Sequence, residues 1–143
     1  MDIRPQPKLK FKGVDFPYVE MNSKSPYVAD KDGEIEVDIQ PKVFLPKDKV
    51  ESFNIIMDVK LVAEGFFELN VTGIGYFKLS GEDITEDDRR KFINANSTAI
   101  LFPYIRAFIS TLTSNLGKVT SPILLPTQFF KGDIPEYQPE EQP

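Results

Sequence analysis

The chain has 143 residues, a length that suits one domain able to bury roughly two thirds of the surface that its unfolded chain exposes. It contains no cysteine and no histidine, so disulfides and thiolate metal sites are excluded and the commonest general base is missing. The net charge of −5 argues against a broad cationic surface for nucleic acid. Most hydrolases, zinc proteins and nucleic-acid-binding proteins are therefore disfavoured.

The N-terminal residues have no apolar signal-peptide core, and no run of about 18 apolar residues could cross a bilayer. We therefore expect a cytoplasmic protein that does not insert into membranes. A single domain is expected over residues 1–143, with flexible termini at 1–7 and from about 133 to 143, where prolines and acidic residues accumulate.

The first predicted strand begins at Lys8 with strict alternation of polar and apolar residues. After Gly13 the apolar set moves to even positions, at Val14, Phe16 and Tyr18. A change of parity would turn these side chains to the wrong face of the sheet, so a bulge at Gly13 is predicted to restore the register.

A long connection follows at residues 22–33, with Tyr27 and Val28 in its middle. It is too long for a tight hairpin. The next strand starts near Glu34 and has acidic residues at its even positions, which predicts that one face of the strand is exposed to solvent. Pro41 cannot donate to a ladder, so the continuation of this strand is expected at a sheet edge or in a connection.

Two more strands are predicted from apolar stripes at odd positions of residues 53–61 and 67–79. Glu64 and Gly65 are predicted to form the turn between these runs, as in a two-residue hairpin. Gly73 and Gly75 lie inside the last strand, which indicates close packing of a helix or another backbone over the sheet.

A helix is predicted to start at Thr85, which forms a capping box with Asp88. The acidic residues around this start are explained by the helix dipole better than by a cation site. The basic run at residues 89–91 is interpreted as a solvated helix face rather than a phosphate site.

A second helical segment is predicted after residues 94–98, with Pro103 either beginning it or kinking it and Gly117 ending it. Its apolar stripe has two parts, a central line and flanking residues. The central line is Leu101, Tyr104, Phe108, Leu112 and Leu116, with Ile105 and Ile109 beside it.

Several apolar residues fall outside every periodic segment. They are Tyr27 and Val28 in the long connection, and Leu124, Leu125, Phe129 and Phe130 after the helix. Such residues either tuck onto the protein's own core or form an interaction surface. The pattern alone leaves both readings open.

Three motifs in order resemble those of the SecB export-chaperone family. Residues 75–81 (GYFKLSG) are similar to the family's "GIFSIAG", residues 100–106 (ILFPYIR) to "ILFPYAR", and residues 125–129 (LPTQF) to the "LAPVNF" segment. The resemblance spans about Leu9 to Phe130. It implies an α+β fold, in which a four-stranded antiparallel sheet with a long crossover loop is backed by a long helix, with or without a kink.

The same resemblance implies a function. Family members hold unfolded or extended polypeptides in apolar grooves without ATP or another cofactor, assemble as dimers of dimers, and in many cases pass preproteins to the SecA ATPase. By motif, the groove of this chain is expected to be lined by Tyr27, Val28, Leu125, Phe129 and Phe130. The expected partners are unfolded clients, SecA and further copies of the chain in a homodimer or homotetramer.

The chain departs from the family in two places. Asn70 stands where family members carry an acidic residue for docking SecA, with Asp15 and Glu68 as further candidates for that surface. Pro135 and Pro139 interrupt the place of the family's C-terminal helix. Holding of clients is thus better supported than transfer to SecA.

Other functions fit the same elements. A helix-backed sheet can enclose a small hydrophobic ligand, and some SecB-like proteins serve one client such as an antitoxin. An enzyme would need a convergent set of carboxylate, lysine or tyrosine side chains, and the sequence shows none. The sequence is therefore interpreted as that of a binding protein and not an enzyme.

Overall fold

The computed structural model describes residues 7–25, 34–127 and 134–137. Four strands are followed by one helical stretch in three parts. The strands are β1 (Lys8–Ser23), β2 (Glu36–Phe44), β3 (Ser52–Ala63) and β4 (Phe67–Ser80). The helical parts are α1 (Glu86–Phe92), a π-helical segment (Ile93–Ser97) and α2 (Thr98–Ser114).

The four strands form one antiparallel sheet in the order β1-β4-β3-β2. Strands β1 and β2 are consecutive in the chain but lie at opposite edges, so the connection between them joins the two edges of the sheet. The predicted α+β fold, with a four-stranded antiparallel sheet and a long crossover, is confirmed.

Strand β1 contains two irregularities. The predicted bulge at Gly13 is confirmed by a register shift between Phe11 and Gly13, where Gly13 has a φ of 141°. A second shift lies between Asp15 and Tyr18. Phe16 still faces the helix side, but Tyr18 turns to the opposite face, so the expectation that it continues the same apolar stripe is wrong.

The core lies between one face of the sheet and α2. The odd-numbered residues of β3 and β4 are buried there, and Leu101 and Ile105 of α2 are fully buried against them. A Cβ on Gly73 would lie 3.1 Å from Ile105 Cδ1, and one on Gly75 would lie 2.9 Å from Leu101 Cδ1. The predicted close approach of a helix over these glycines is confirmed.

The β3–β4 hairpin has a three-residue loop, Glu64 to Phe66, rather than the predicted two-residue loop. Pairing resumes with Ala63 opposite Phe67, and the Phe66 amide donates to the Ala63 carbonyl at 2.8 Å. Gly65, with a φ of 84°, lies in the middle of this loop, and the Phe66 carbonyl accepts the amide of Lys24 at 2.7 Å, where the chain leaves β1.

The start of α1 is as predicted. The Asp88 amide donates to Thr85 Oγ1 and the Thr85 amide donates to Asp88 Oδ2, each at 3.1 Å, which completes the capping box. Among the described residues, no group of three or more acidic side chains is placed to hold a metal ion.

The rest of the helix differs from the prediction. The chain stays helical through the π segment, so α2 begins at Thr98 and Pro103 lies inside it. Helix α2 ends at Ser114, before Gly117, and side chains at its end bond to carbonyls of the last turns. Ser114 Oγ donates to the Ser110 carbonyl and Asn115 Nδ2 donates to the Thr111 carbonyl, both at 2.6 Å.

The buried stripe of α2 is rotated from the predicted one. Ile105 and Ile109 are fully buried, whereas Tyr104, predicted on the central line, is 49% exposed. Leu112 is only half-buried, while Thr113 is buried and donates its hydroxyl to the Ile109 carbonyl at 2.7 Å. A backbone acceptor allows this threonine to sit in the core.

Arg89 corrects the interpretation of residues 89–91 as a solvated face. It is 5% exposed, and its guanidinium meets both carboxylate oxygens of Glu86 at 2.6 and 2.7 Å. It also donates to the carbonyls of Lys49 and Ser52 at 3.1 and 3.2 Å. Arg89 therefore ties α1 to the connection between β2 and β3.

No helix within the described parts of the chain is both long enough and apolar enough to cross a membrane.

Candidate functional site

The predicted apolar groove falls mostly outside the described residues. Tyr27, Val28, Phe129 and Phe130 are not among them. Leu125 is described, and its side chain is 2% exposed, within the core of its own subunit. The groove as a whole stays a prediction.

The segment that leads to Phe129 is fixed along α2. The Ile123 amide donates to Thr113 Oγ1 at 2.8 Å, and Arg106 Nε donates to the Leu125 carbonyl at 2.8 Å. Ile123 and Leu125 point into the core, while Leu124 between them is 77% exposed. This segment therefore presents an apolar side chain to its surroundings immediately before the predicted groove residues.

The ends of the crossover lie at one end of the sheet. Ser23 pairs with Phe67, and Glu36 pairs with Val62, so both ends are beside the β3–β4 hairpin. The chain that enters the crossover is held there, because Ser25 Oγ donates to the Gly65 carbonyl at 3.3 Å.

The face of the sheet opposite α2 is polar and carries no covering element among the described residues. It holds a shallow concavity of about 260 Å³. The polar residues that line it are Asp38, Gln40, Asp58, Lys60, Asn70 and Thr72, with the half-exposed Tyr18. We call this surface the open face.

The three candidate docking residues, Asp15, Glu68 and Asn70, all lie on the open face. Asp15 Oδ2 accepts the Tyr76 hydroxyl at 2.8 Å, and this hydrogen bond raises the pKa of Tyr76. Glu68 pairs with Lys60 at 3.0 Å, which raises the pKa of Lys60. Both carboxylates are thus held in fixed positions by neighbouring strands.

Asn70 is flanked by a carboxylate that the sequence analysis missed. Glu20 of β1 is its cross-strand partner. Glu20 accepts the Tyr18 hydroxyl at 2.5 Å and Asn22 Nδ2 at 2.8 Å, and these hydrogen bonds lower the pKa of Glu20. The Tyr18 pKa is raised by the same bond. The signal that could have revealed this placement is Pro17, because a proline inside a strand often marks a bulge.

The middle strands continue this polar network. Asp58 Oδ1 accepts the Thr72 hydroxyl at 2.7 Å, and its other oxygen pairs with Lys42 at 3.2 Å. Around the concavity, carboxylates outnumber ammonium groups. Asp38, Asp58 and Lys60 line it. Glu20 lies opposite the lining residue Asn70, and Lys42 and Glu68 pair with Asp58 and Lys60, which gives four carboxylates and two ammonium groups. The arrangement suits a cationic protein surface rather than an apolar chain.

Comparison with known proteins decides the family. Residues 12–129 match the family model of SecB, described as "Preprotein translocase subunit SecB". The chain belongs to the SecB family. An uncharacterized protein of Methanocaldococcus jannaschii is 31% identical over 131 residues, which cover 88% of this chain and 82% of that protein.

Among solved structures, the chain is similar to a SecB-like chaperone of Mycobacterium tuberculosis, determined in complex with a peptide from the HigA1 antitoxin. The TM-score is 0.65 at 15% identity, and the match covers 85% of this chain and 88% of the other. This likeness supports the SecB fold that the sequence motifs indicated.

Proposed function

We propose that this SecB-family protein is an ATP-independent holdase, a chaperone that binds unfolded or extended polypeptides. The observation that carries the proposal is the match to the SecB family over residues 12–129. The fold shared with a SecB-like chaperone that was solved with a bound antitoxin peptide supports it.

The proposed groove lies between the crossover and the segment after α2. We expect Tyr27 and Val28 from the crossover and Phe129 and Phe130 after α2 to line it, next to Leu125, whose own side chain is buried in the core. Burial of apolar client surface contributes about 25 cal/mol per Å² and has no directional requirement. Such a groove binds many sequences without a catalyst or ATP.

The test is suppression of aggregation. Stoichiometric protein without nucleotide should reduce the light scattering of a chemically unfolded test protein, and a Phe129→Ser/Phe130→Ser variant should lose most of this effect while keeping its thermal midpoint. Tyr18→Ser is the matched control, because it removes an exposed aromatic ring from the open face. A folded wild-type protein that leaves aggregation unchanged contradicts the proposal.

Peptide length separates the holdase from the alternative, a module for a small hydrophobic ligand. A groove gains affinity as an extended apolar peptide becomes longer, whereas a closed pocket does not. Within the described parts of the chain, the concavity on the open face has a mostly polar lining. A site for a small hydrophobic ligand is usually lined by apolar residues, so this concavity does not favour the alternative. Retention of a lipid in native mass spectrometry, with no dependence on peptide length, would support that alternative.

The finer parts of the proposal concern partners and assembly. We place a protein-docking surface on the open face at Asp15, Glu68 and Asn70, with Glu20 supplying the negative charge beside Asn70. SecA is the proposed partner, and a single dedicated client such as an antitoxin is the alternative. Titration calorimetry with purified SecA tests this docking, and absence of binding at low salt would overturn it.

The proposal further includes a cytoplasmic location, one domain over residues 1–143, and a homodimer or homotetramer as the working assembly. None of these requires a cofactor or an enzymatic step.

A further inference from the structure

Four residues near the C-terminus are docked on the outer edge of β2. The Val43 amide donates to the Pro135 carbonyl at 2.9 Å, and the Tyr137 amide donates to the Val43 carbonyl at 2.6 Å. Val43 and Glu136 form an isolated parallel bridge. The chain thus adds a short extended segment to its own sheet edge.

Two side chains anchor this segment, three positions apart. Ile134 is 2% exposed and belongs to the hydrophobic core cluster. The Tyr137 ring lies edge-on to Phe44 with centroids 6.4 Å apart, and Lys42 Nζ lies 5.0 Å from the Tyr137 ring centroid. The aromatic anchor is therefore held by a ring and a cation on the edge strand.

The π segment supplies a third polar contact. The Ile134 amide donates to Asn94 Oδ1 at 3.1 Å, and Asn94 lies in the π segment between α1 and α2. Backbone groups of the docked segment are thus bound by both the sheet edge and the helix. This is the pattern of strand addition, where main-chain hydrogen bonds give sequence-tolerant affinity and side-chain anchors give selectivity.

The docking rests on few backbone hydrogen bonds to the sheet edge. The bridge involves Val43 alone on β2, and Pro41, two residues away on the same edge, has no N–H with which to extend a ladder. Pro135 likewise cannot donate. A contact with few hydrogen bonds opens at lower free energy than the core strands do.

We propose that Ile134–Tyr137 is a self-ligand: it occupies a strand-addition site for an extended client, and a client segment with two apolar anchors three residues apart displaces it. The inference rests on the proposed polypeptide-binding function and deepens it, because it names a second contact surface and its competitor. It uses the edge of β2, whose residues are not among the predicted groove residues.

Release of the self-ligand is the first test. Ile134→Asn removes the buried anchor, and the Val43 amide should then exchange faster with solvent while amides of β3 and β4 keep their protection. If the segment occupies the site about 90% of the time, its release should raise the affinity for an unfolded, carboxymethylated test protein about tenfold. A fluorescent peptide of residues 132–140, added in trans, should bind this variant about tenfold more tightly than the wild type.

Leu124→Asn is the matched control, since it replaces an exposed aliphatic residue and leaves the docked segment intact. It should change neither Val43 exchange nor binding of the trans peptide.

Locking the segment is the second test and does not depend on a destabilising substitution. The chain has no cysteine, so Phe44→Cys/Tyr137→Cys provides a unique pair. Bridging the two thiols with a short bismaleimide should lower client affinity at least about tenfold relative to the same variant capped with N-ethylmaleimide. The reason is that the fraction of molecules in which the docked segment leaves the β2 edge becomes negligible.

The outcomes separate this inference from the holdase proposal. A wild-type protein that binds no client overturns both. Client binding that is equal in the wild type, the released variant and the locked variant overturns the self-ligand alone and leaves the holdase in place. Higher affinity on release with lower affinity on locking supports the inference.

Discussion

At the scale of single residues, the open face is organised by short polar contacts between neighbouring side chains. Tyr18 is the key donor, because the bulge at Phe16 and Pro17 turns it away from the helix and toward Glu20. Its hydroxyl and the Asn22 amide stabilise the charged form of Glu20, so the pKa of Glu20 is lowered. A fixed negative charge beside Asn70 is the result.

Tyr18→Phe tests this arrangement. Loss of the hydroxyl should raise the pKa of Glu20 toward its ordinary value, measured from the side-chain carboxyl ¹³C shift against pH. Because the folded-state pKa is lowered, the stabilisation is present above the unfolded-state pKa and is lost as the pH falls through the folded-state pKa. The free energy of unfolding of the variant should therefore fall less than that of the wild type over this pH range.

Tyr76→Phe is the matched control, since the Tyr76 hydroxyl donates to Asp15 and not to Glu20. A Glu20 titration that shifts equally in both variants would show that the Tyr18 hydrogen bond is not the cause.

At the scale of elements, alternation predicted the strands well because each of β3 and β4 has one buried and one polar face. The capping box and the close approach over Gly73 and Gly75 were also predictable, since each rests on residues adjacent in sequence or on one strand face. These features depend on local chemistry.

The features that the sequence could not predict depend on distant partners. The Phe66 carbonyl bonds to the amide of Lys24, and the buried Arg89 donates hydrogen bonds to the carbonyls of Lys49 and Ser52. Ile134 carries no periodic signal, because one buried side chain and backbone hydrogen bonds are enough to dock its segment. Four of the predicted groove residues lie outside the described parts of the chain. They are Tyr27, Val28, Phe129 and Phe130.

The contact between β4 and α2 gives an element-scale prediction. In a strand, Gly→Ala alone should gain about 0.5–1 kcal/mol from reduced backbone entropy. At Gly75 the new Cβ meets Leu101 at 2.9 Å, and overpacking of this kind costs about 1–3 kcal/mol. Gly75→Ala should therefore lower the free energy of unfolding, measured by urea denaturation.

A double-mutant cycle with Leu101→Ala identifies the cause. The second substitution removes the atom that clashes, so the double variant should be more stable than the sum of the two single losses predicts. Strict additivity would show that Gly75 is required for a reason other than the packing of α2.

At the scale of the whole molecule, the two sheet edges differ. The outer edge of β2 carries the docked segment at Val43, whereas the outer edge of β1 has no partner strand among the described residues. Strand β1 has 16 residues, and a long unpaired edge is a template for pairing with another chain. Val19 on this strand is 42% exposed.

The β1 edge is therefore the surface on which we expect two copies to pair about a twofold axis, in a dimer that stands alone or within a tetramer. Light scattering after gel filtration should give a multiple of the 16.3 kDa chain mass. Val19→Lys adds a positive charge to the β1 edge strand of both copies and should shift the protein toward monomer. Val37→Lys is the matched control, because Val37 is 43% exposed on the opposite edge strand. A monomeric wild type would contradict pairing through the β1 edge. Dissociation caused only by Val37→Lys would contradict it too, because like charges weaken the interface that contains them.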